Sequence, residues 1–253
     1  MIYYKTRREI ESMRKGAKLL ARILRLLSES IIPGKTTPKD LDELAARLLE
    51  EAGAIPSFLG YKQGGTAYPA VCCISVNSMV VHGIPTETPL QEGDIVSIDI
   101  GACLDGWHAD TAWTYPVGTI SPEAEKLLNV TRESLYQGIA KAKVGNRVGD
   151  ISHAVQRYVE SQGCSIVREL VGHGIGRNLH EEPSVPNFGR PRTGSLLKEG
   201  MTLCIEPMVN VGSQKVKILP DQWTVVTADN SLSAHFEHMV AITRSGPDIL
   251  SIE

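Results

Sequence analysis

The stretch Asp94-Ile95-Val96-Ser97-Ile98-Asp99-Ile100-Gly101-Ala102-Cys103-Leu104-Asp105-Gly106-Trp107-His108-Ala109-Asp110-Thr111 decides the fold. Asp105-Gly106 between two β-rich runs is the strongest short hairpin signal available, and a two-residue loop there sets Leu104 opposite Trp107. Counting back sets Asp110 opposite Gly101. Asp99 then lies diagonally across on the same face, about 7 Å away or less at Cβ, with the small Gly101 leaving room between the two acids. Like charges so placed repel unless something positive separates them, and a divalent cation fills that role. The alternative is a solvated hairpin face carrying single acids.

Upstream, Ile10, Met13, Ala17, Leu20, Leu24, Leu27 and Ile31 recur at steps of three and four, which predicts a long helix from Arg7 to Ile31. After the Pro33-Gly34 turn, Leu41, Leu44, Ala45, Leu48 and Leu49 mark a second helix that Gly53 ends. Short β-branched runs follow at Val71 to Val76, Ile95 to Ile100 and Thr111 to Val117. The order then repeats. Ser121-Pro122 starts a third helix, expected to run to about Lys143, and the Val144-Gly145 turn leads to a fourth. Placing Leu41 on Ile151 aligns Leu48 with Tyr158, Leu49 with Val159, Glu50 with Glu160 and Gly53 with Gly163. This pattern predicts one α+β domain over 1–253, built of two pseudo-twofold-related halves of about 1–120 and 121–253, with a site where the halves meet.

Three further segments hold candidate ligands. His173 is flanked by glycines in Val171-Gly172-His173-Gly174-Ile175-Gly176, where backbone or metal can come close. The glycine spacing does not fit a dinucleotide loop, because Arg177 stands where the third glycine belongs. Glu206 and Glu237 each sit in an apolar, strand-like run, so each needs a cation, a hydrogen-bond network or an exposed strand face. Asp99, Asp110, His173, Glu206 and Glu237 together offer four carboxylates and one imidazole. Such a set suits two divalent ions such as Mn, Fe, Co or Zn and is too oxygen-rich for a structural zinc site.

Composition is that of an ordinary globular chain of 253 residues, with 42% hydrophobic and 22% charged residues. A formal net charge of -3 gives no global reason to bind nucleic acid. Cys72, Cys73, Cys103, Cys164 and Cys204 are odd in number and unevenly spaced, which argues for free thiols and a reducing, cytoplasmic compartment. No apolar run reaches membrane-spanning length, and no export or anchoring segment is expected.

In order along the chain, Val81-His82-Gly83-Ile84-Pro85, Ser97-Ile98-Asp99-Ile100-Gly101, Gly106-Trp107-His108-Ala109-Asp110-Thr111, Gly172-His173-Gly174-Ile175-Gly176, His180-Glu181-Glu182-Pro183, Ile205-Glu206-Pro207-Met208-Val209-Asn210 and Phe236-Glu237-His238 closely resemble the methionine aminopeptidases of the pita-bread metallohydrolase family. The resemblance covers nearly the whole chain. The short intervals from His180 to Glu206 and on to Glu237 leave no room for the helical insertion of the type II enzymes, so the likeness is to type I, without an N-terminal zinc-binding extension. It implies the pita-bread fold, with a central curved antiparallel sheet covered by helices, and removal of the N-terminal methionine from nascent proteins and peptides with a small second residue. By resemblance, Asp99 holds one divalent ion, His173 and Glu206 the other, and Asp110 and Glu237 bridge both, so that a water shared by the cations attacks the first peptide bond. The same likeness makes Glu206 the proton shuttle, His180 a donor to the carbonyl side and His82 a contact to the amide nitrogen or second residue. It also places Phe58, Tyr61, Tyr68, Cys73, Leu179 and Trp223 in the methionine pocket. Two departures mark that pocket: Gln63 to Ala67 is longer than the family pattern, and Leu179 stands where an aromatic residue is expected.

Two other readings are a pita-bread peptidase that cleaves before proline and a non-catalytic binding module that has lost its ligands. The first usually carries an additional N-terminal domain, and the second conflicts with the full set of ligands and histidines here. The expected partners are nascent N-termini met by a monomer. Arg7, Arg14, Lys18, Arg22 and Arg25 lie together on the first helix, either as a solvated face or as a salt-sensitive contact to ribosomal RNA.

Overall fold

The computed structural model describes residues 1–62 and 65–253. Helix α1 (Arg7–Glu29) starts at a capping box in which Thr6 and Glu9 satisfy each other's backbone amides, and it buries Ile10, Met13, Ala17, Leu20, Leu24 and Leu27. Helix α2 (Pro38–Glu51) repeats the device with Thr37 and Asp40, and places Pro38 in the first turn, where no amide is needed. Helix α3 (Pro122–Ile139) is capped by Ser121 and stops short of Lys143. Beyond its end Ala142 is buried outside the helix, while Val144 is exposed. Helix α4 (Val148–Ser161) follows, its Asp150 carboxylate accepting from the Arg147 amide at 2.8 Å.

The second and fourth helices match at a constant offset, both fourteen residues long. Leu41 and Ile151 are buried in equivalent places, as are Leu49 and Val159. Gly53 and Gly163 end the two helices at φ of 67° and 78°, a left-handed geometry that glycine adopts without strain. Each is followed by a two-residue strand at the same offset, Ile55–Pro56 and Ser165–Ile166. One core cluster gathers around α1, α2 and the first hairpin, a second around α3 and α4, and Trp113 packs against both.

The hairpin forms as counted: Leu104 pairs with Trp107 and Gly101 with Asp110, around a turn in which Asp105 and Gly106 both have positive φ. Cys72–Val76 pairs along the other edge of the Ile95–Leu104 strand and brings Cys73 beside Asp99. Among the described residues, the antiparallel pairing divides into four ladders, of four, three, three and five strands. The divisions have a chemical cause. Thr202–Ile205 and Met208–Asn210 are separated by Glu206-Pro207, and Ser233–His235 and His238–Thr243 by Phe236-Glu237. Ile205 pairs with His238 and Met208 with His235, a single register that sets Glu206 opposite Glu237 across the gap. Proline has no amide to give the ladder, and like charges directly opposite disfavour pairing.

Helix α2 is fastened to the first sheet by one buried side chain. Asp42 Oδ1 accepts from the backbone amides of Val71 and Cys72, each at 2.8 Å. Asp42→Ala should lower the unfolding free energy by about 2–4 kcal/mol in a urea titration, since each buried amide left unpaired costs on the order of 1–3 kcal/mol. A loss below about 1 kcal/mol would mean that water replaces the carboxylate there.

Candidate metal centre

Asp99, Asp110, His173, Glu206 and Glu237 line one cavity of about 530 Å³. Asp99 and Asp110 come from the first hairpin and lie diagonally across Gly101, whose hydrogen faces the Phe58 ring; a Cβ there would stand 2.8 Å from Phe58 and 3.3 Å from Asp110 Oδ1. His173 is brought in by a strand that presses close to its neighbours. A Cβ on Gly172 would meet the Cys204 carbonyl at 2.4 Å, and one on Gly174 the Glu182 carbonyl at 2.4 Å. His173 Nδ1 donates to the Gly174 carbonyl at 2.9 Å, which leaves the Nε2 lone pair facing Glu206 Oε1 at 3.6 Å and Asp110 Oδ2 at 3.8 Å.

Neither Glu206 nor Glu237 lies on the exposed face that their runs allowed. Both stand at the ladder gaps and turn inward, Glu237 only 2% exposed. The Glu237 backbone is latched to the hairpin: its amide donates to the Ala112 carbonyl at 2.8 Å and its carbonyl accepts from Thr111 Oγ1 at 2.9 Å. Thr114 Oγ1 holds the His235 carbonyl in the same way at 2.7 Å. These bonds clamp the carboxylates of the first hairpin to the segment that carries Glu237.

The cage lacks positive charge of its own. Asp99 Oδ1, Asp110 Oδ1 and Glu237 Oε1 are buried with no hydrogen-bond partner among the described residues. Burial first, and then the neighbouring carboxylates, push Asp99, Asp110 and Glu237 well above the usual carboxylate range. Burial raises Glu206 to about 8 and depresses His173 to about 3. A neutral imidazole amid stranded carboxylate oxygens is a donor set for divalent cations, and the residues present fit that group.

Two residues of the cage escaped sequence reasoning. Cys204 Sγ joins Asp110, His173 and Glu237 in a cluster whose ligand atoms all lie within 4.8 Å of one another. His235 Nε2 stands 3.5 Å from Glu206 Oε2 and has no hydrogen-bond partner among the described residues. The signal for both was strand alternation: Cys204 is two residues from Glu206 and His235 two from Glu237, so each shares a face with a candidate ligand.

The eight expected substrate contacts line the same cavity: Phe58, Tyr61, Tyr68, Cys73, His82, Leu179, His180 and Trp223. Tyr68 donates its hydroxyl to the Gly83 carbonyl at 2.8 Å and packs edge-on against Trp223. His82 has φ of 58°, an uncommon conformation for a residue with a side chain, and its ring lies near Trp223. Burial lowers its pKa to about 4 and keeps the ring neutral. Tyr61 Oη lies 2.7 Å from His180 Nδ1, and the His180 ring meets that of His173 edge-on. Of the longer Gln63 to Ala67 segment, residues 63 and 64 lie outside the described residues; Lys62 and Ala67 pair at its base.

The sequence profile of metallopeptidase family M24 matches residues 11–244. The chain is 54% identical to a methionine aminopeptidase of Clostridium perfringens, over 100% of this chain and 99% of that one. It is 53% identical to methionine aminopeptidase 1 of Bacillus subtilis, over 99% of each. The crystal structure of methionine aminopeptidase from Rickettsia prowazekii superposes over the full length of both chains with a TM-score of 0.96 at 40% identity. A prolidase from Pyrococcus horikoshii shares the fold, with a TM-score of 0.77 at 20% identity, and this chain covers 64% of it.

The shifted groups set a pH dependence for the metal-free protein. Folded Glu206 keeps a proton between its ordinary 4.5 and about 8 that the unfolded chain has lost, so its contribution to stability is present at low pH and disappears as pH rises through 8. Buried His82, His173 and His238, depressed to about 4, 3 and 4, act oppositely, but their gain is complete above the ordinary histidine value of 6.5. From pH 6.5 to 8 the carboxyls dominate. Chelator-treated protein should therefore lose at least about 1–2 kcal/mol across that window in urea titrations, the share that Glu206 alone contributes, and saturating Mn²⁺ should abolish the loss. Equal stability at both pH values without metal would contradict the charge account.

Proposed function

We infer that this chain, which belongs to metallopeptidase family M24, removes the N-terminal methionine from proteins and peptides by metal-dependent hydrolysis of the first peptide bond. The observation that carries this reading is the cavity in which a carboxylate cage, three of its oxygens without a hydrogen-bond partner among the described residues, faces an apolar and aromatic wall. The cage suits two divalent cations and the wall suits an unbranched thioether.

Asp99 would hold one cation, His173 and Glu206 the other, with Asp110 and Glu237 shared between them. When bound, the pair supplies an acidified water and stabilises the charge that develops on the scissile carbonyl oxygen. Glu206, held in a site that raises carboxyl basicity, takes the proton released at attack and delivers it to the leaving amine. For His180 to serve through Nε2 as donor to the substrate carbonyl, Tyr61 must donate to His180 Nδ1, which their 2.7 Å separation allows. His82 contacts the amide nitrogen or the second residue. The substrate's free α-amine belongs at the Asp99 end of the cage, which limits cleavage to the chain terminus.

We propose a cytoplasmic monomer of one domain, halves about 1–120 and 121–253, that acts on nascent N-termini. Five free cysteines suit a reducing compartment. No helix among the described residues is long and apolar enough to cross a membrane. The proposed contact to ribosomal RNA rests on a smaller basic face than the helix wheel suggests. Arg14 is paired with Asp248 and Glu11, and Arg25 with Glu29 and Glu253, which leaves Arg7, Lys18 and Arg22 without an ion pair among the described residues. Reversing those three charges should weaken co-sedimentation with ribosomes at low salt; unchanged co-sedimentation would remove the contact.

Substrate choice tests the function. Met-Ala and Met-Gly peptides should be cleaved quickly and Met-Lys, Met-Phe and formyl-Met peptides should be nearly inert, with leucine or norleucine tolerated at the first position because Leu179 lines the pocket. Preference for Ala-Pro over Met-Ala at equal metal loading would favour the proline-specific reading instead. Asp110→Ala and Glu237→Ala should lose metal as well as activity. His180→Ala and His82→Ala should keep metal while turnover falls by roughly 10²-fold.

A further inference from the structure

We propose that Lys5 is a positioning residue for catalysis, anchoring through a buried ion pair the turn that presents His180 to substrate; the proposal rests on the reading of His180 as a donor to the substrate carbonyl. Lys5 Nζ lies 2.7 Å from Glu181 Oε2, and each side chain is only 4% exposed. Glu181 directly follows His180. Its other oxygen, Oε1, accepts from the Asn178 amide at 3.1 Å, so one carboxylate closes the turn around His180 and ties it to the start of the chain.

The anchor itself is fixed. The Lys5 amide donates to the Gly200 carbonyl at 2.7 Å, and Thr6 opens the capping box of α1, so Lys5 is held between the turn before the Thr202–Ile205 strand and a long helix. The fit is close on both sides: a Cβ on Gly200 would stand 2.6 Å from the Lys5 carbonyl oxygen, and one on Gly176 would stand 2.6 Å from Lys5 Cε. The opposite side of the same turn is tied to the first hairpin. The Arg177 guanidinium stacks 3.7 Å from the centroid of the Trp107 ring and donates to the Gly106 carbonyl at 2.9 Å, while the His108 amide donates to Gly176. The turn carrying His180 is thus stretched between the hairpin that bears Asp110 and the start of α1.

A buried ion pair is a poor source of net stability, because desolvating both charges offsets most of their attraction. What it supplies is direction: a carboxylate with one cation and one amide to satisfy has little choice of place. Shifting a catalytic donor by an ångström reduces the rate without removing the donor.

The test is a double-mutant cycle between Lys5 and His180 in the Mn²⁺-loaded enzyme, read as kcat, KM and metal content with a Met-Ala peptide. Lys5→Met should lower kcat about tenfold while KM changes less than about twofold, metal content is kept, and Lys5→Arg restores most of the rate. In the His180→Ala background Lys5→Met should have no further effect, because the group it positions is gone. Parental kcat in folded Lys5→Met, or an equal loss in both backgrounds, overturns the proposal. Should Lys5→Met not fold, the pair Lys5→Gln with Glu181→Gln, which strands no charge, runs the same cycle with the same outcomes. If His180→Ala alone leaves kcat unchanged, the reading of His180 fails first, and that result is distinct from a failure confined to Lys5.

Discussion

Repulsion among buried carboxylates is the constraint on which the rest of this structure depends. Asp99, Asp110, Glu206 and Glu237 are turned into one cavity wall, and three of the four leave an oxygen without any hydrogen-bond partner among the described residues. Carboxylates so enclosed either take up protons or gather cations. The raised proton affinities describe the first state and the fit of the donor set describes the second. Competition between protons and metal for the same oxygens is therefore built into the fold.

Holding such a cage together requires backbone bonds that do not depend on the charges. Thr111, Ala112 and Thr114, on the strand that bears Asp110, grip the backbone at His235 and Glu237. Close passage of the glycines beside His173 lets its strand approach two neighbours at once. The interruptions at Glu206-Pro207 and Phe236-Glu237 then free two acids from the ladder without losing register, since pairing resumes in the same frame beyond the gap. A flat, continuous sheet would have pointed alternate side chains away from the cavity.

Much of this was legible in the sequence where local geometry decides the outcome. Asp105-Gly106 specifies its own turn, and from it the opposition of Gly101 and Asp110 and the diagonal of Asp99 follow by counting. The cap at Ser121 likewise acts within a few residues. What escaped depends on contacts far along the chain. The gaps at Glu206 and Glu237 arise only when the two strands face each other, so runs that look like unbroken strands conceal them. Helix α3 ends before its periodicity does because Ala142 is drawn into the second core. Cys204 and His235 were readable from the two-residue period, but a thiol in an apolar run and a histidine beside a stronger candidate draw no notice alone. The pocket positions carry least local signal, as Phe58 and Leu179 look like any core residue until the cavity is formed.

The central claim is that two cations balance this one cage. Anomalous diffraction from crystals grown with Mn²⁺, recorded at the manganese edge, measures that directly. The account requires two peaks per chain, both enclosed by Asp99, Asp110, His173, Glu206 and Glu237, with Asp110 and Glu237 touching both. A single peak at full occupancy, or metal bound outside the cage while its carboxylates stay protonated, would contradict it.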